Sequence, residues 1–248
     1  LGDVYKRQEE GRGMSPSIRH VRFITTLTNV LVVALRNREL TAERIRTAGI
    51  ERELELAGEM QSMLLPRVLP EDDHRSFSAR YRPHQHVGGD YYDAVRLADG
   101  RMAIAIADVS GKGMPAAFLM SNFQAHLHAH LERGEVDLEN LVRSLNQRVF
   151  SSARGERFIT FFFALHDPAR GAIDYVNCGH NPPLFVPDKG PGMFLGAGCP
   201  GLGMLDALPV VGVGTLDARP GSTLVCFTDG LVEQENEAGQ DFGEHRLQ

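Results

Sequence analysis

Three aspartates in this sequence stand where a predicted strand opens into a glycine-containing turn. Asp90 follows two glycines, Asp108 ends a long apolar run, and Asp229 ends a second apolar run and precedes another glycine. A strand holds such a carboxylate rigidly, while the turn lets it face a cleft. Converging carboxylates repel one another unless a cation compensates, and oxygen ligands suit Mg²⁺ or Mn²⁺. The joint pattern predicts a divalent-metal centre, although any one of these aspartates also fits an ordinary turn.

The elements that would position these aspartates are antiparallel strand pairs around two central helices. Asp99-Gly100 between two alternating runs is a strong hairpin signal, and Pro115 suits the first turn of a helix. This order predicts an α+β layered sandwich rather than a parallel βαβ sheet. The predicted elements are a strand at 77–81, a hairpin at 91–109, helices at 115–133 and 136–152, hairpins at 157–178 and 210–227, and a helix at 231–237.

A helical segment is predicted upstream of Pro66, over residues 18–65, because apolar residues recur there at helical spacing. One interpretation is one or two amphipathic helices packed on their own domain, and the other is a parallel two-helix linker that dimerises and carries a signal. Its last part, 51–65, is predicted to be regulatory, with an apolar stripe that must be buried in a dimer or on the core. The apolar positions are Ile24, Leu27, Leu31 and Leu35, and then Leu54, Ala57 and Leu64.

Composition excludes several classes of protein. The 248 residues include 26 basic and 32 acidic side chains, for a net charge of −6, which argues against a general nucleic-acid binder. Three cysteines do not make a disulfide framework and favour a reducing cytoplasm. The early apolar run at 23–35 is shorter than the roughly 20 residues that span a bilayer, and no secretory cleavage site follows it. A cytoplasmic globular protein without a membrane segment is therefore predicted.

Five segments, taken in order, resemble the SpoIIE/RsbU-type branch of the bacterial PPM (protein phosphatase 2C-like) serine/threonine phosphatases. The resemblance covers roughly residues 54–248 and implies two antiparallel β-sheets packed as a sandwich and flanked by helices. It also implies hydrolysis of phosphoserine or phosphothreonine on a regulatory protein. The segments are AGEMQSMLLP at 57–66, GGDYYD at 88–93, ADVSGKG at 107–113, CGHNPP at 178–183 and FTDG at 227–230.

The resemblance implies a two-ion Mn²⁺ or Mg²⁺ centre with roles for particular residues. Asp108 would bridge the ions, the Val109 carbonyl would join it at the first, and Asp229 would bind the second. Asp90 would bind metal directly or through water. Asp93 would accept a hydrogen bond near the ligands without binding metal itself. Asp90, Asp108 and Asp229 would act in catalysis through a metal-bound hydroxide that attacks phosphorus directly.

The resemblance also predicts organisation and partners. Residues 1–17 are interpreted as a leader outside the fold, 18–66 as a helical linker that includes the end of a GAF-type sensor and the regulatory helix, and 67–248 as a phosphatase domain incomplete at its C terminus. The last metal-binding aspartate of the family is expected beyond Gln248, so this chain is expected to be weakly active. Predicted partners are a phosphorylated STAS-type anti-sigma-factor antagonist as substrate, an upstream sensor domain, and a second copy bound through the N-terminal helix.

Other interpretations remain open at this point. A phosphatase-like domain without activity would serve as an interaction module. The GGD segment is also found in diguanylate cyclases, but Tyr91-Tyr92 lacks the acidic residue that their motif needs. His126, His128 and His130 could form a zinc site, although no cysteine lies near them in sequence. His180 is predicted to be structural, because it lies in a Gly-Asn-Pro-Pro turn.

Overall fold

The computed structural model describes residues 16–72, 75–83, 87–134 and 136–247. The predicted leader 1–17 therefore lies outside the described residues except for its last two positions. The chain forms two compact units, Leu1–Glu53 and Leu54–Gln248. Among the residues described, no helix combines the length and apolar character needed to cross a membrane.

A single helix, α1, spans Pro16–Ser62. It continues through Gly49 and Gly58, and it ends shortly before Pro66, which cannot extend a helix. In the first unit its side chains from position 20 onward are exposed, including large apolar ones such as Phe23 and Leu31. The predicted apolar stripe is present there, and no described residue of that unit covers it.

The second unit has nine strands, two longer helices and two short ones among its described residues. Antiparallel pairs dominate, as predicted, because the Asp99-Gly100 turn closes the first hairpin and an Asp-Pro-Ala-Arg-Gly turn closes the next. The elements are β1 Tyr91–Arg96, β2 Met102–Val109, α2 Met114–Leu131, α3 Leu138–Ala153, β3 Ile159–Asp167, β4 Ala172–Cys178, β5 Leu184–Val186, β6 Met193–Phe194, β7 Gly198–Cys199, β8 Gly214–Asp217, β9 Thr223–Val225, α4 Asp229–Val232 and a 3-10 turn Glu244–Arg246.

The strands form two sheets. The larger has the order β1-β2-β3-β4-β7, with β8 also paired to β4, and the smaller has the order β6-β5-β9. One face of the larger sheet packs against α2 and α3 in the main core. The opposite face packs against the smaller sheet through a second core that includes Ile106, Phe162 and Phe185. The predicted α+β sandwich with an N-terminal helix is confirmed, and the short β4–β7 pair is the one parallel pairing described.

Three local predictions were wrong. Residues 77–81 form no strand and have no ladder partner among the described residues. The segment 210–227 is not a hairpin, because β8 pairs with β4 in the larger sheet and β9 pairs with β5 in the smaller one. Leu216 and Leu224 instead pack against the core between the sheets. Burial of these two side chains therefore outweighs direct pairing of the two strands. The helix predicted at 231–237 is the single turn α4.

Candidate metal centre

Asp90 and Asp108 lie side by side at the ends of adjacent strands. The β1–β2 register pairs Tyr91 with Ala107, which brings the preceding Asp90 opposite the following Asp108. Their carboxyl groups lie within reach of a hydrogen bond, which forms when one of them carries a proton. Side chains alternate along β2, and Asp108 falls on the face of Ile106, which packs between the two sheets. Local strand periodicity therefore directs the pair into the end of the inter-sheet space.

Asp229 joins this pair from another part of the chain. It begins α4 directly after Thr228, whose hydroxyl donates to Asp90 Oδ2 at 3.3 Å. Its charge acts on both Asp90 and Asp108, and its side chain lies on the exposed rim. The structure thus places Asp90 next to Asp108, with Asp229 within electrostatic range of both.

The three aspartates form a site with uncompensated negative charge. Burial, followed by the charges of Asp90 and Asp229, raises the pKa of Asp108 to about 7. Burial is also the largest cause of the raised pKa of Asp90, to which the charge of Asp229 adds. Carboxyl groups in such surroundings bind a proton or a cation to relieve their repulsion.

The backbone at Gly89 packs closely against the Val109 carbonyl and the Asp108 carboxylate. A Cβ atom added at Gly89 would lie 2.8 Å from the Val109 carbonyl oxygen and 3.1 Å from Asp108 Oδ1. Only a residue without a side chain allows the loop before β1 to approach this closely. The Val109 carbonyl and the Asp108 carboxylate consequently border the same narrow space.

The donor set suits a hard divalent cation. Carboxylates and a backbone carbonyl are oxygen ligands of the type that Mg²⁺ and Mn²⁺ prefer. The excess negative charge of the carboxylates also attracts a cation. Within the described residues, no three His, Cys, Asp or Glu side chains close around one point as a complete ligand cluster. Asp90, Asp108 and the Val109 carbonyl nevertheless fit a divalent cation by chemistry and charge, and the exposed Asp229 lies within electrostatic range of both carboxylates.

Gln61 anchors the loop that carries Asp90, and sequence reasoning did not identify this role. Gln61 is buried near the end of α1, where its Nε2 donates to the Gly88 carbonyl at 2.6 Å. Its Oε1 accepts from the Gly88 N–H at 3.0 Å. One side chain thus satisfies both backbone groups of Gly88, two residues before Asp90. The available signal was a single glutamine on the otherwise apolar face of the helix.

His180 lies on the β3–β4 side of the site, next to Thr160. Its Nδ1 is 2.9 Å from Thr160 Oγ1, and the Thr160 hydroxyl also donates to the Asp108 carbonyl at 3.4 Å. Asn177 holds the turn, since its Oδ1 accepts from the His180 N–H at 2.7 Å. Burial lowers the pKa of His180 to about 4, so the ring is neutral at pH 7. Its buried Nε2 has no hydrogen-bond partner among the described residues.

Asp93 does not accept a hydrogen bond beside the three aspartates, contrary to prediction. It points to the helix side of the sheet, where its Oδ2 accepts from the Tyr91 hydroxyl at 2.7 Å and lies 2.7 Å from His128 Nε2. Its position three residues after Asp90 puts it on the opposite face of β1. Asp93 instead links β1 to α2.

The alternative of a zinc site at His126, His128 and His130 is not supported by the described part of the chain. His128 contacts Asp93, whereas His130 Nε2 is 2.9 Å from Ser144 Oγ on α3. His126 and His130 border a small surface pocket with Arg133 and Arg148. The three rings therefore have separate surroundings, and two of them lie among positive charges that disfavour a metal cation.

Metal removal should make the stability of the protein depend on pH through Asp108. The pKa of an unfolded Asp is 3.8, against about 7 for Asp108 in the folded chain. The destabilisation is absent below about pH 4, grows as the pH rises to about 7, and is then complete. We expect urea unfolding in EDTA to show a larger loss of stability from pH 5 to pH 8 in the wild type than in Asp108→Asn, and Mn²⁺ to reverse it. Equal losses in both proteins would contradict the assignment of the charge conflict to Asp108.

The comparisons with known proteins identify the family. A family model described as Stage II sporulation protein E (SpoIIE) matches residues 98–248, which is more than half of the chain. This chain belongs to the SpoIIE family. The resemblance inferred from the five sequence segments is thereby confirmed, and the matched range contains β2 and α4, which carry Asp108 and Asp229.

Relatives of this SpoIIE-family chain include named phosphatases. It is 28% identical over 235 residues to Protein IcfG of Synechocystis sp., covering 84% of this chain and 37% of that protein. It is 29% identical over 198 residues to Phosphoserine phosphatase RsbU of Bacillus subtilis, covering 77% and 56%. Phosphoserine phosphatase RsbP of Bacillus subtilis is 29% identical over 187 residues, covering 74% and 46%. The matched regions therefore span from about a third to just over half of these relatives.

Solved structures confirm the fold of this SpoIIE-family chain. The SiaA-PP2C domain of Pseudomonas aeruginosa matches with a TM-score of 0.66 at 20% identity, covering 81% of this chain and 80% of that one. The RsbU and RsbW domains of Rv1364c from Mycobacterium tuberculosis match with a TM-score of 0.54 at 25% identity, covering 62% and 43%. The two-sheet architecture is thus that of PP2C-type domains.

Proposed function

We propose that this chain is the catalytic domain of a metal-dependent protein phosphatase that hydrolyses phosphoserine or phosphothreonine. The observation that carries the proposal is the contact between Asp90 and Asp108, with Asp229 in electrostatic range, at the open end of the inter-sheet space. A site with this charge and these oxygen donors attracts divalent cations. Membership of the SpoIIE family and two relatives named phosphoserine phosphatases support the same reaction.

Each residue of the site would have its own role in binding the metal ions. Asp108 and the Val109 carbonyl would hold the first Mn²⁺ or Mg²⁺, Asp108 and Asp229 the second, and Asp90 would bind directly or through water. Such ions, when bound, supply charge neutralisation for the phosphoryl oxygens and lower the pKa of water. Thr228 would orient Asp90 by the hydrogen bond it donates. Gly89 keeps the space beside Asp108 free of side-chain atoms.

A direct assay separates an enzyme from a non-catalytic interaction module. The full-length protein that contains this chain is incubated with para-nitrophenyl phosphate and Mn²⁺, and then with EDTA in place of the metal. We expect turnover that depends on the added metal. Absence of turnover with Mn²⁺ or Mg²⁺, together with retained binding of a phosphoprotein, would favour the interaction module.

The substrate is proposed to be a folded phosphoprotein of the STAS-type anti-sigma-factor antagonist class. Asp229 lies on the exposed rim rather than in a deep pocket, and the chain has no Trp to stack on a small ligand. We expect kcat/KM on a phosphorylated STAS-type protein to exceed that on a peptide with the same phosphosite by about tenfold or more, which is worth about 1.4 kcal/mol. Phosphate release by malachite green measures both, and equal efficiencies would contradict the proposal.

The first unit is proposed to dimerise through α1, downstream of a sensor domain in the whole protein. Large apolar side chains at helical spacing are more than half exposed there, including Ile24, Leu27 and Leu31. A second copy packed in parallel would bury this stripe as a coiled coil does. We expect Leu27→Glu with Leu31→Glu to shift the protein from dimer to monomer in light scattering, whereas Glu43→Gln on the same helix should not. An unchanged mass for the double variant would contradict this interface.

The cellular location is proposed to be the cytoplasm. All three cysteines are free thiols, as a reducing compartment favours.

A further inference from the structure

Cys178 and Cys199 face each other across two neighbouring strands. The parallel pairing of β4 with β7 makes them Cα partners, one position after the pair Asn177 and Gly198. Both side chains belong to the main core, with Cys178 buried and Cys199 half-buried at its edge. They therefore lie on the same side of the sheet, and the partly exposed Cys199 gives a solute access to the pair.

The backbones approach closely at this point because of Gly198. A Cβ atom at that position would collide with the backbone of Asn177, so only glycine permits the contact. Neighbouring strands lie about 4.8 Å apart, which is within the range of roughly 4.4–6.8 Å between the Cα atoms of disulfide-bonded cysteines. The two thiols lie within reach of a hydrogen bond to each other, so little backbone movement separates them from a bond.

We propose that Cys178 and Cys199 are a redox modification site that peroxides convert reversibly into an intramolecular disulfide. In the first step the Cys199 thiolate attacks a peroxide oxygen, the O–O bond breaks, and Cys199 becomes a sulfenic acid while hydroxide leaves. In the second step the Cys178 sulfur attacks the Cys199 sulfur, the S–S bond forms, and the sulfenic oxygen leaves as water with the Cys178 proton. Two thiols are oxidised and one peroxide is reduced to two molecules of water or, for an organic peroxide, to an alcohol and water.

The surroundings assign different roles to the two sulfurs. The hydrogen bond with Cys178, and then the charge of Arg143, lower the pKa of Cys199, which favours the attacking thiolate. The same hydrogen bond and burial raise the pKa of Cys178, as suits the thiol that resolves the sulfenic acid. The third cysteine, Cys226, packs in the other core, where burial raises its pKa to about 12. It is an internal control that should stay reduced.

The site is connected to the metal centre through the backbone. Cys178 ends β4 two residues before His180, and Asn177, the neighbour of Cys178, holds the His180 turn. Cys199 lies shortly before Leu202 in the chain. Leu202 exchanges backbone hydrogen bonds with Ile159, and Ile159 is the residue before Thr160. A disulfide would tie these two segments together at the position where they support His180 and Thr160.

Oxidation of the purified protein tests this inference without reference to enzymatic activity. The reduced protein is treated with a small excess of hydrogen peroxide. One portion is analysed directly by intact-mass spectrometry and by thiol titration under denaturing conditions, and another portion is alkylated for peptide mapping. We expect the titratable thiols to fall from three to one, the intact mass to fall by about 2 Da for two lost hydrogens, and dithiothreitol to restore both. Peptide mapping should show Cys178 joined to Cys199 and Cys226 alkylated.

Single substitutions supply the controls. Cys226→Ser should still form the bond, whereas Cys199→Ser and Cys178→Ser should each prevent it, with circular dichroism to verify the fold. If Cys178→Ser does not fold, Cys178→Ala fills the buried position without a hydroxyl and serves the same purpose. Retention of all three thiols, over-oxidation of Cys199 without a link, a bond that includes Cys226, or disulfides only between chains would each overturn the proposal.

Discussion

Asp108→Asn should lower metal-dependent phosphatase turnover by about 10³-fold or more, equivalent to about 4 kcal/mol of lost transition-state stabilisation. The substitution keeps the size of the side chain but removes the charge that Asp90 and Asp229 act upon. An amide is a poor bridge between two cations, so metal binding and charge neutralisation are both weakened. Initial rates over a series of Mn²⁺ concentrations in the full-length protein measure the effect.

The fold should survive this change, which makes the prediction specific to the site. Asp108 is destabilised by burial and like charge in the metal-free protein, so its neutralisation is expected to leave the metal-free melting temperature equal or higher. Asp206→Asn is a matched control, because Asp206 is exposed and only its backbone carbonyl takes part in a described hydrogen bond. Wild-type turnover by Asp108→Asn at low Mn²⁺ would show that this aspartate is not a metal ligand.

Gln61→Leu should lower turnover by about 10- to 100-fold while the core stays folded. The substitution leaves the Gly88 N–H and carbonyl without their two hydrogen bonds, and an unsatisfied buried group costs about 1–3 kcal/mol. The loop can recover these bonds only by a shift toward water, and that shift carries Gly89 and Asp90 away from Asp108. The loss should appear mainly in the apparent affinity for Mn²⁺, so that high metal concentrations recover part of the rate.

A neighbouring residue gives the control for Gln61. Ser62→Ala changes an exposed side chain on the same helix whose hydroxyl bonds only locally, to the Glu59 carbonyl. It should keep wild-type turnover and metal affinity. If Gln61→Leu also did so, the end of α1 would merely pack on the domain, and the proposal that residues 51–65 form a regulatory helix would lose its structural basis.

Much of the architecture follows from local sequence signals. Asp99-Gly100 between alternating runs specifies the first hairpin, and Pro115 lies in the first turn of α2. Strand alternation also predicts that Asp108 shares a face with Ile106, because this depends only on the period of the strand. Such features are settled within a few residues, and the first hairpin and the start of α2 were predicted correctly from the sequence.

The errors arose where a segment had a choice of partners. The turn at Arg219-Pro220-Gly221 permits a hairpin, yet β8 and β9 lie in different sheets. Leu216 and Leu224 bury their side chains in the core between the sheets, and that gain is available only once both sheets exist. A sequence pattern records that a strand is apolar on one face and does not record which edge it joins.

The sequence by itself determined the composition of the site: three aspartates at strand ends, a glycine pair, and a chain order typical of one phosphatase family. Only the tertiary structure decided that Gln61 clamps Gly88, that Asp93 turns away to His128, and that two cysteines 21 positions apart in sequence are paired. These contacts join residues far apart in the chain, and each depends on how sheets and helices pack. Local propensity specifies elements, whereas burial and close backbone approach select their partners.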